Sequence, residues 1–213
     1  MGKGIFITLE GGEGSGKSTQ SRNLRNALKK RGLLVRQVRE PGGSLLGDRL
    51  RRLLKFGKFP ITAEAELLLF NASRSHLVQE GIKPALDNGE VVICDRFVDS
   101  TIAYQGYGRC LPIHKIRQVN DLVVGDLEPD LTILLDITPI EGISRHSDKK
   151  DRFEFNYKTK EVMEFHDRVR RGYLELASKD PGRWLVLDAR LKPSEITRLI
   201  FDKLEPLLET LNS

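Results

Sequence analysis

The sequence predicts an α/β fold, doubly wound about a parallel sheet, and three observations predict it. Short runs rich in Val, Ile and Leu recur between longer segments of helical period, with no internal repeat or low-complexity tract. The runs are mainly apolar, as suits strands of a buried parallel sheet covered by helices. Three of the five runs end in Asp, at the carboxyl edge where open parallel sheets bind ligands.

Taken in order, strands are expected at 4–10 (GIFITLE), 33–38 (LLVRQV), 91–95 (VVICD), 131–136 (LTILLD) and 184–188 (WLVLD). Helices fill the gaps. The first should run from Ser18 to Arg31, with Gly32 stopping it. A long segment from Ala63 towards Asp87 is closed by Asn88-Gly89, and Pro84 should bend it. The last helix carries Ile196, Leu199, Ile200, Leu204, Leu207, Leu208 and Leu211 at helical spacing, a stripe for core packing, and Pro206 should kink or end it. No linker rich in Pro, Gly or Ser divides the 213 residues, so a single domain over 1–213 is expected. The most polar stretch, SRHSDKKDR at 144–152, reads as a mobile connection between two helices.

Composition excludes several classes. The 35 Lys and Arg exceed the 30 Asp and Glu, for a formal net charge of +5, but they are scattered through the chain. No basic stripe with interleaved aromatics is present, so nucleic acid is not expected as a partner. Cys94 and Cys110 are too few for a disulfide framework, and no CxxC or Cys/His cluster suggests zinc. The first apolar run is too short for a signal segment, and none approaches the roughly 18 residues that span a bilayer. A cytoplasmic protein without membrane contact is the expectation.

Residues 10–19, EGGEGSGKST, follow the first strand directly and open the first helix. The spacing Gly11-x-x-x-x-Gly16-Lys17-Ser18 is a Walker A match in the context that motif requires. Gly11, Gly12, Glu13, Gly14, Ser15 and Gly16 would turn their backbone N–H groups around a polyphosphate, and Lys17, Ser18 and Thr19 would open the helix behind it. Lys17 would lie along the β- and γ-phosphates. The Ser18 hydroxyl is the expected Mg²⁺ ligand. A P-loop alone leaves GTPases, motor ATPases, kinases and non-catalytic nucleotide binders open. The chain has no N-K-x-D stretch for reading guanine and no strand ending in adjacent Asp-Glu. It has CDRFVDSTIAYQGYGR at 94–109, where Asp95 is placed to hold Mg²⁺ through water and Arg96 turns a planar fork into the same cleft. The bland alternative is an ion pair at a strand end with no ligand.

The stretches EGGEGSGKST, REPGG (39–43), FNASR (70–74), DRFVDSTIAYQ (95–105) and PDLTILLDITP (129–139) together closely resemble bacterial thymidylate kinases, which are P-loop nucleoside monophosphate kinases. The resemblance covers nearly the whole chain. It implies a P-loop NTPase fold, a five-stranded parallel sheet with helices on both faces and a short lid at about 144–154. It also implies the reaction ATP + dTMP → ADP + dTDP with Mg²⁺, and a homodimer. Carried over position by position, Phe70 stacks on thymine and Arg74 donates to thymine O4, which suits thymine over cytosine because cytosine presents a donor there. Arg51 and Arg96 clamp the 5′-phosphate, with Arg39 and Arg49 as nearby competitors for that role. Thr101 and Gln105 meet the pyrimidine edge, Tyr104 lies beside the sugar, and Glu13 lies near the 3′-hydroxyl. The chain departs at Phe97, where the family often carries Tyr or His. Without the resemblance, Phe70 reads equally as core packing on an amphipathic helix, and the lesser alternative for Arg74 is a solvated helical arginine.

The P-loop supplies no arginine to the transferring phosphoryl group, since its variable positions are Gly12, Glu13, Gly14 and Ser15. An arginine from elsewhere is expected, and the lid offers Arg145 and Arg152, with Arg145 preferred because a helix end holds it. Two other readings stay open at this point: a small P-loop kinase for another nucleotide or nucleoside, and a non-catalytic P-loop regulator.

Overall fold

The computed structural model describes residues 4–145 and 159–212. Most of the lid stretch, Arg152 included, therefore lies outside the described residues. Five strands form one parallel sheet: β1 (Ile5–Glu10), β2 (Val35–Arg39), β3 (Val91–Asp95), β4 (Leu131–Asp136) and β5 (Trp184–Asp188). Their order is β2-β3-β1-β4-β5, so β1 is central and the chain winds outward on both sides of it. The carboxyl ends of β1 and β3 lie side by side, with Leu9 opposite Asp95. Such a switch point opens a crevice for ligand.

Three strands have the limits read from the sequence. β2 begins two residues later than expected and runs on to Arg39. The cause is local: the Leu33 N–H is bonded to the Leu28 carbonyl at the end of the first helix, which holds Leu33 out of the sheet.

Nine α-helices are described. On one face of the sheet α1 (Lys17–Lys30) and α9 (Pro193–Glu209) cover β1: Ile5, Ile7 and Leu9 pack with Leu24 and Leu28 of α1 and Ile196, Ile200 and Leu204 of α9. Alternation sends Phe6, Thr8 and Glu10 to the opposite face. There stand α3 (Ala63–Leu77), α4 (Lys83–Asp87), α5 (Val98–Thr101), α6 (Ile113–Val124) and α8 (Lys160–Lys179). Polarity on that face rises towards the carboxyl edge. Phe6 packs edge-on against Phe97, Thr8 shares a buried hydrogen bond with Thr132, and Glu10 is a fully buried carboxylate. The remaining helices are α2 (Leu45–Phe56) and α7 (Pro139–Ser144).

Two prolines behave differently from each other. Before Pro84 the helix widens into a π-helical turn, Val78–Ile82, which accommodates the missing N–H, and α4 resumes behind it. Pro206 does not end the last helix, which continues to Glu209. Pro206 and Asp202, whose carbonyl loses its donor, are both exposed to water, while Leu204 and Leu208 keep the helix on the core.

Candidate active site

A cavity of about 590 Å³ opens at the carboxyl ends of β1, β2 and β3. Its floor is the loop that joins β1 to α1. Most helices with a polar start cap themselves: Ser44, Thr62 and Thr138 accept hydrogen bonds at the heads of α2, α3 and α7. The head of α1 has Gly16 instead, with no side-chain cap and no acidic residue in the first turn. Its N–H groups and dipole are thereby kept for an external anion. The loop is also pinned from behind. Gly14 sits at φ 65°, and a Cβ there would fall on the Gly142 carbonyl oxygen of α7, while a Cβ on Gly142 would strike the Glu13 carbonyl oxygen.

Lys17 is buried at the first position of α1, where its ammonium donates to the carbonyls of Gly11 (3.0 Å) and Gly12 (2.8 Å) and to Ser15 Oγ (3.2 Å). It is thus part of the wall of the site and not a surface loop residue. Burial, then the charge of Arg96, brings its pKa down to about 8, with Glu13 and Asp95 pulling the other way. Ser18 donates to Asp95 Oδ2 at 2.8 Å, so the first turn of α1 and the end of β3 meet at the cavity.

Arg96 follows with φ 73°, a left-handed conformation rare for a side chain of this size. Its NH2 donates to Glu13 Oε1 (2.8 Å) and Tyr104 OH (3.1 Å), and its guanidinium lies 4.9 Å over the Tyr104 ring. Burial alone would raise the Glu13 carboxyl, but Arg96 and Lys17 outweigh it and hold the pKa at about 2. Glu13 is therefore a fixed negative charge that orients a guanidinium and a phenol.

The opposite wall carries Phe70, Arg74, Thr101 and Gln105. Tyr104 and Gln105 lie on a π-helical turn, Ile102–Gly108, which no periodicity in the sequence announces. Arg74 is fully buried and uses all five N–H groups: on Glu40 Oε2 (2.8 Å), Asn71 Oδ1 (3.4 Å), Asn120 Oδ1 (3.1 Å), the Phe97 carbonyl (3.0 Å) and Thr101 Oγ1 (2.8 Å). It is a hub of the cavity wall and not a solvated helical side chain. Phe97 has no surface at all, its ring packed on Phe6. Gln105 donates from Nε2 to the buried Glu66 (2.8 Å).

The cavity lining brings together Glu13, Gly14, Ser15, Gly16, Lys17, Ser18 and Thr19 with Arg51, Asp95, Arg96 and Arg145. Gly11 and Gly12 stand behind this lining. Arg51 donates to the Pro41 carbonyl (2.9 Å), and Arg39 lines the cavity where Arg49 does not. Arg145 caps the end of α7 and donates to the Ala189 carbonyl (2.8 Å). Sequence reading missed Glu40, Lys55, Phe56 and Ser100, which also line the cavity. Glu40 had a signal in the REPGG stretch. Lys55 and Phe56 had none, since their helix reads as an ordinary basic amphipathic one.

The thymidylate kinase family profile matches residues 9–200. The chain belongs to the thymidylate kinase family. A thymidylate kinase of Dehalococcoides mccartyi is 50% identical over 206 residues, 96% of this chain and 97% of that protein. One from Desulforudis audaxviator is 45% identical, covering 97% and 92% of the two chains. The crystal structure of thymidylate kinase from Ehrlichia chaffeensis superposes with a TM-score of 0.79 at 36% identity, covering 95% of this chain and 99% of that one. The match to the family spans both walls of the cavity. The family's P-loop NTPase fold is the architecture described above.

Proposed function

We infer that the chain transfers the γ-phosphoryl group of ATP to dTMP, giving ADP and dTDP. The observation that carries this reading is the single cavity that joins an uncapped P-loop to a wall of Phe70, Arg74, Thr101 and Gln105, with Arg51 and Arg96 between them. A regulator that only binds nucleotide has no need of that second wall.

ATP would lay its phosphates on the loop, and Lys17 would exchange the Gly11 and Gly12 carbonyls for β- and γ-phosphate oxygens. The acceptor phosphate is already an anion, so no general base is required. The chain's task is to align two nucleotides, exclude water and neutralise charge. Arg96, oriented by Glu13 and Tyr104, and Arg51 would hold the acceptor phosphate against repulsion from the donor. Phe70 offers its ring to thymine. Of the five Arg74 contacts, that to Asn71 is the longest, so this N–H is the one to turn to thymine O4. Arg145 reaches the cavity already and is our choice for the arginine at the transferring group, with Arg152 as the second candidate.

Mg²⁺ fits the residues present. Among the described residues no cluster of three or more His, Cys, Asp or Glu could hold a metal alone, and Mg²⁺ with a nucleotide takes few protein ligands, filling its shell with water and phosphate oxygens. Ser18 and Asp95 would hold it, and it would neutralise phosphate charge.

We also propose a homodimer. Leu46 and Leu53 of α2, Leu68 of α3 and Leu122 of α6 are exposed apolar residues on neighbouring helices, and Leu122 is 86% exposed. A second copy would cover them. No helix among the described residues is long and apolar enough to cross a membrane, which is compatible with the cytoplasmic placement we propose.

The test is an ADP-release assay with ATP, Mg²⁺ and a panel of monophosphates, alongside the chain's mass by light scattering. The expected result is strong preference for dTMP and a dimer mass. Higher turnover with another monophosphate would replace the substrate, and absence of turnover with all would favour a regulator.

A further inference from the structure

Glu10 is the last residue of the central strand, has no exposed surface, and plays no part in the chemistry above. β1 alternation turns it away from α1, towards α5 and α8. There it accepts three hydrogen bonds. Oε1 takes the Phe97 N–H at 2.8 Å, and Oε2 takes the hydroxyls of Ser100 at 2.5 Å and Tyr173 at 2.9 Å. Those two hydroxyls, 2.7 Å apart, are in turn the acceptors for Arg96 NH1, at 3.4 Å from Ser100 and 3.2 Å from Tyr173. The Arg96 NH2 is held separately by Glu13 and Tyr104.

We propose that Glu10 is a positioning residue for phosphoryl transfer, setting the Arg96 guanidinium through the Phe97 N–H and the Ser100 and Tyr173 hydroxyls. This rests on the kinase reading of the cavity. The donor and acceptor inventory sets the sense of the relay. Ionised, as at pH 8, Glu10 can only accept, so the Ser100 and Tyr173 hydroxyls spend their hydrogens on it or on each other and present lone pairs to Arg96. The bond to Phe97 N–H clamps the backbone one residue beyond Arg96, and the Arg96 N–H is bonded to the Leu9 carbonyl at 3.0 Å, one residue before Glu10. Together they fix the left-handed φ of Arg96. The guanidinium therefore has its main chain and one nitrogen set from β1, and its other nitrogen set from the P-loop. A loose arginine at this place would lose the alignment on which a positioned charge depends.

Glu10→Gln breaks the relay at almost constant volume. If its carbonyl keeps the Phe97 N–H, its amide N–H₂ faces the two hydroxyls, which must then accept, and their hydrogens compete with the Arg96 N–H. If the amide is reversed, two donors meet at Phe97. Either way a buried polar hydrogen loses its acceptor.

The test is a double-substitution cycle of Glu10→Gln with Arg96→Ala, read as kcat and both KM values at pH 8, by single turnover where activity is low. Alone, Glu10→Gln is expected to lower kcat about tenfold to a hundredfold, with KM for ATP changed by less than about twofold. In the Arg96→Ala background the same change should cost less than about threefold, because the residue it serves is gone. Equal cost in both backgrounds, or an unmoved kcat, overturns the proposal. If Glu10→Gln does not fold, Tyr173→Phe removes a single hydroxyl and should give a smaller fall of the same pattern. Wild-type protein without dTMP turnover overturns the functional reading and this proposal together. Wild-type turnover with additive costs overturns this proposal alone.

Discussion

Lys17 is buried, yet every atom its ammonium touches belongs to the loop it serves. Removing it strips charge from the proposed phosphate site and little else. Lys17→Ala is expected to lose at least about a hundredfold in turnover, while the unfolding midpoint moves by no more than about 3 °C, checked by kinetics and a thermal melt. Arg74 is the contrary case. Its nitrogen NH2 lies 2.6 Å from Glu40, with both side chains buried, so Arg74→Ala leaves a carboxylate without its cation and should cost about 3–5 kcal/mol in a urea titration. Pairing Arg74→Met with Glu40→Gln should recover most of that stability without recovering dTMP affinity, which separates the two duties of one side chain. The two acidic residues beside Arg96 respond oppositely to pH. Glu13 is held at about 2, below its ordinary 4.5, so its contribution to stability is present above 4.5 and is lost as pH falls towards 2. Burial and then the nearby Asp99 raise Glu10 from 4.5 to about 7, so its contribution is present below 4.5 and is lost as pH rises through 7. Wild type should therefore lose stability relative to Glu10→Gln between pH 5 and 8, with a slope of at most about 1.4 kcal/mol per pH unit. A flat difference in urea unfolding across that range would contradict the raised value.

At the scale of elements, the strands and the P-loop were legible because their signals are local: an apolar run, an Asp at its end, a glycine spacing. The limits of β3, β4 and β5 and the place of Lys17, Ser18, Asp95 and Arg96 around one cavity follow from such signals. What stayed hidden depends on residues meeting from afar. Nothing near Glu10 in the chain announces Tyr173, which arrives from α8, or Ser100, which arrives from α5. The π-helical turn that carries Tyr104 and Gln105 is likewise set by packing against α8 and not by its own period. Pro206 does not end its helix because the cost of a proline depends on which carbonyl is orphaned, and here that carbonyl faces water. Pro206→Ala restores a helix donor at an exposed site and should raise stability by about 1 kcal/mol, the helix gain being partly offset by a freer unfolded chain. Denaturant unfolding checks this.

Over the whole molecule, many surface arginines stand in pairs with carboxylates: Arg31 with Glu205, Arg36 with Glu90, Arg170 with Asp136, Arg190 with Asp188, Arg198 with Asp202. Carboxylates interrupt these parts of the surface, and binding to single-stranded DNA is expected to vanish at physiological salt in a fluorescence titration. The cavity, by contrast, gathers Lys17, Arg39, Arg51, Lys55, Arg96 and Arg145 from separate elements of the chain onto one concave surface. Behind that cavity lies the seam where Gly14 meets Gly142, two backbones in contact with no side chain between them. Neither position has room for even one methyl group. An inhibitor that drew its affinity from this seam would rest on ground the organism cannot alter by substitution, and escape mutants would have to arise at the far wall, around Phe70 and Gln105, where side chains do the touching.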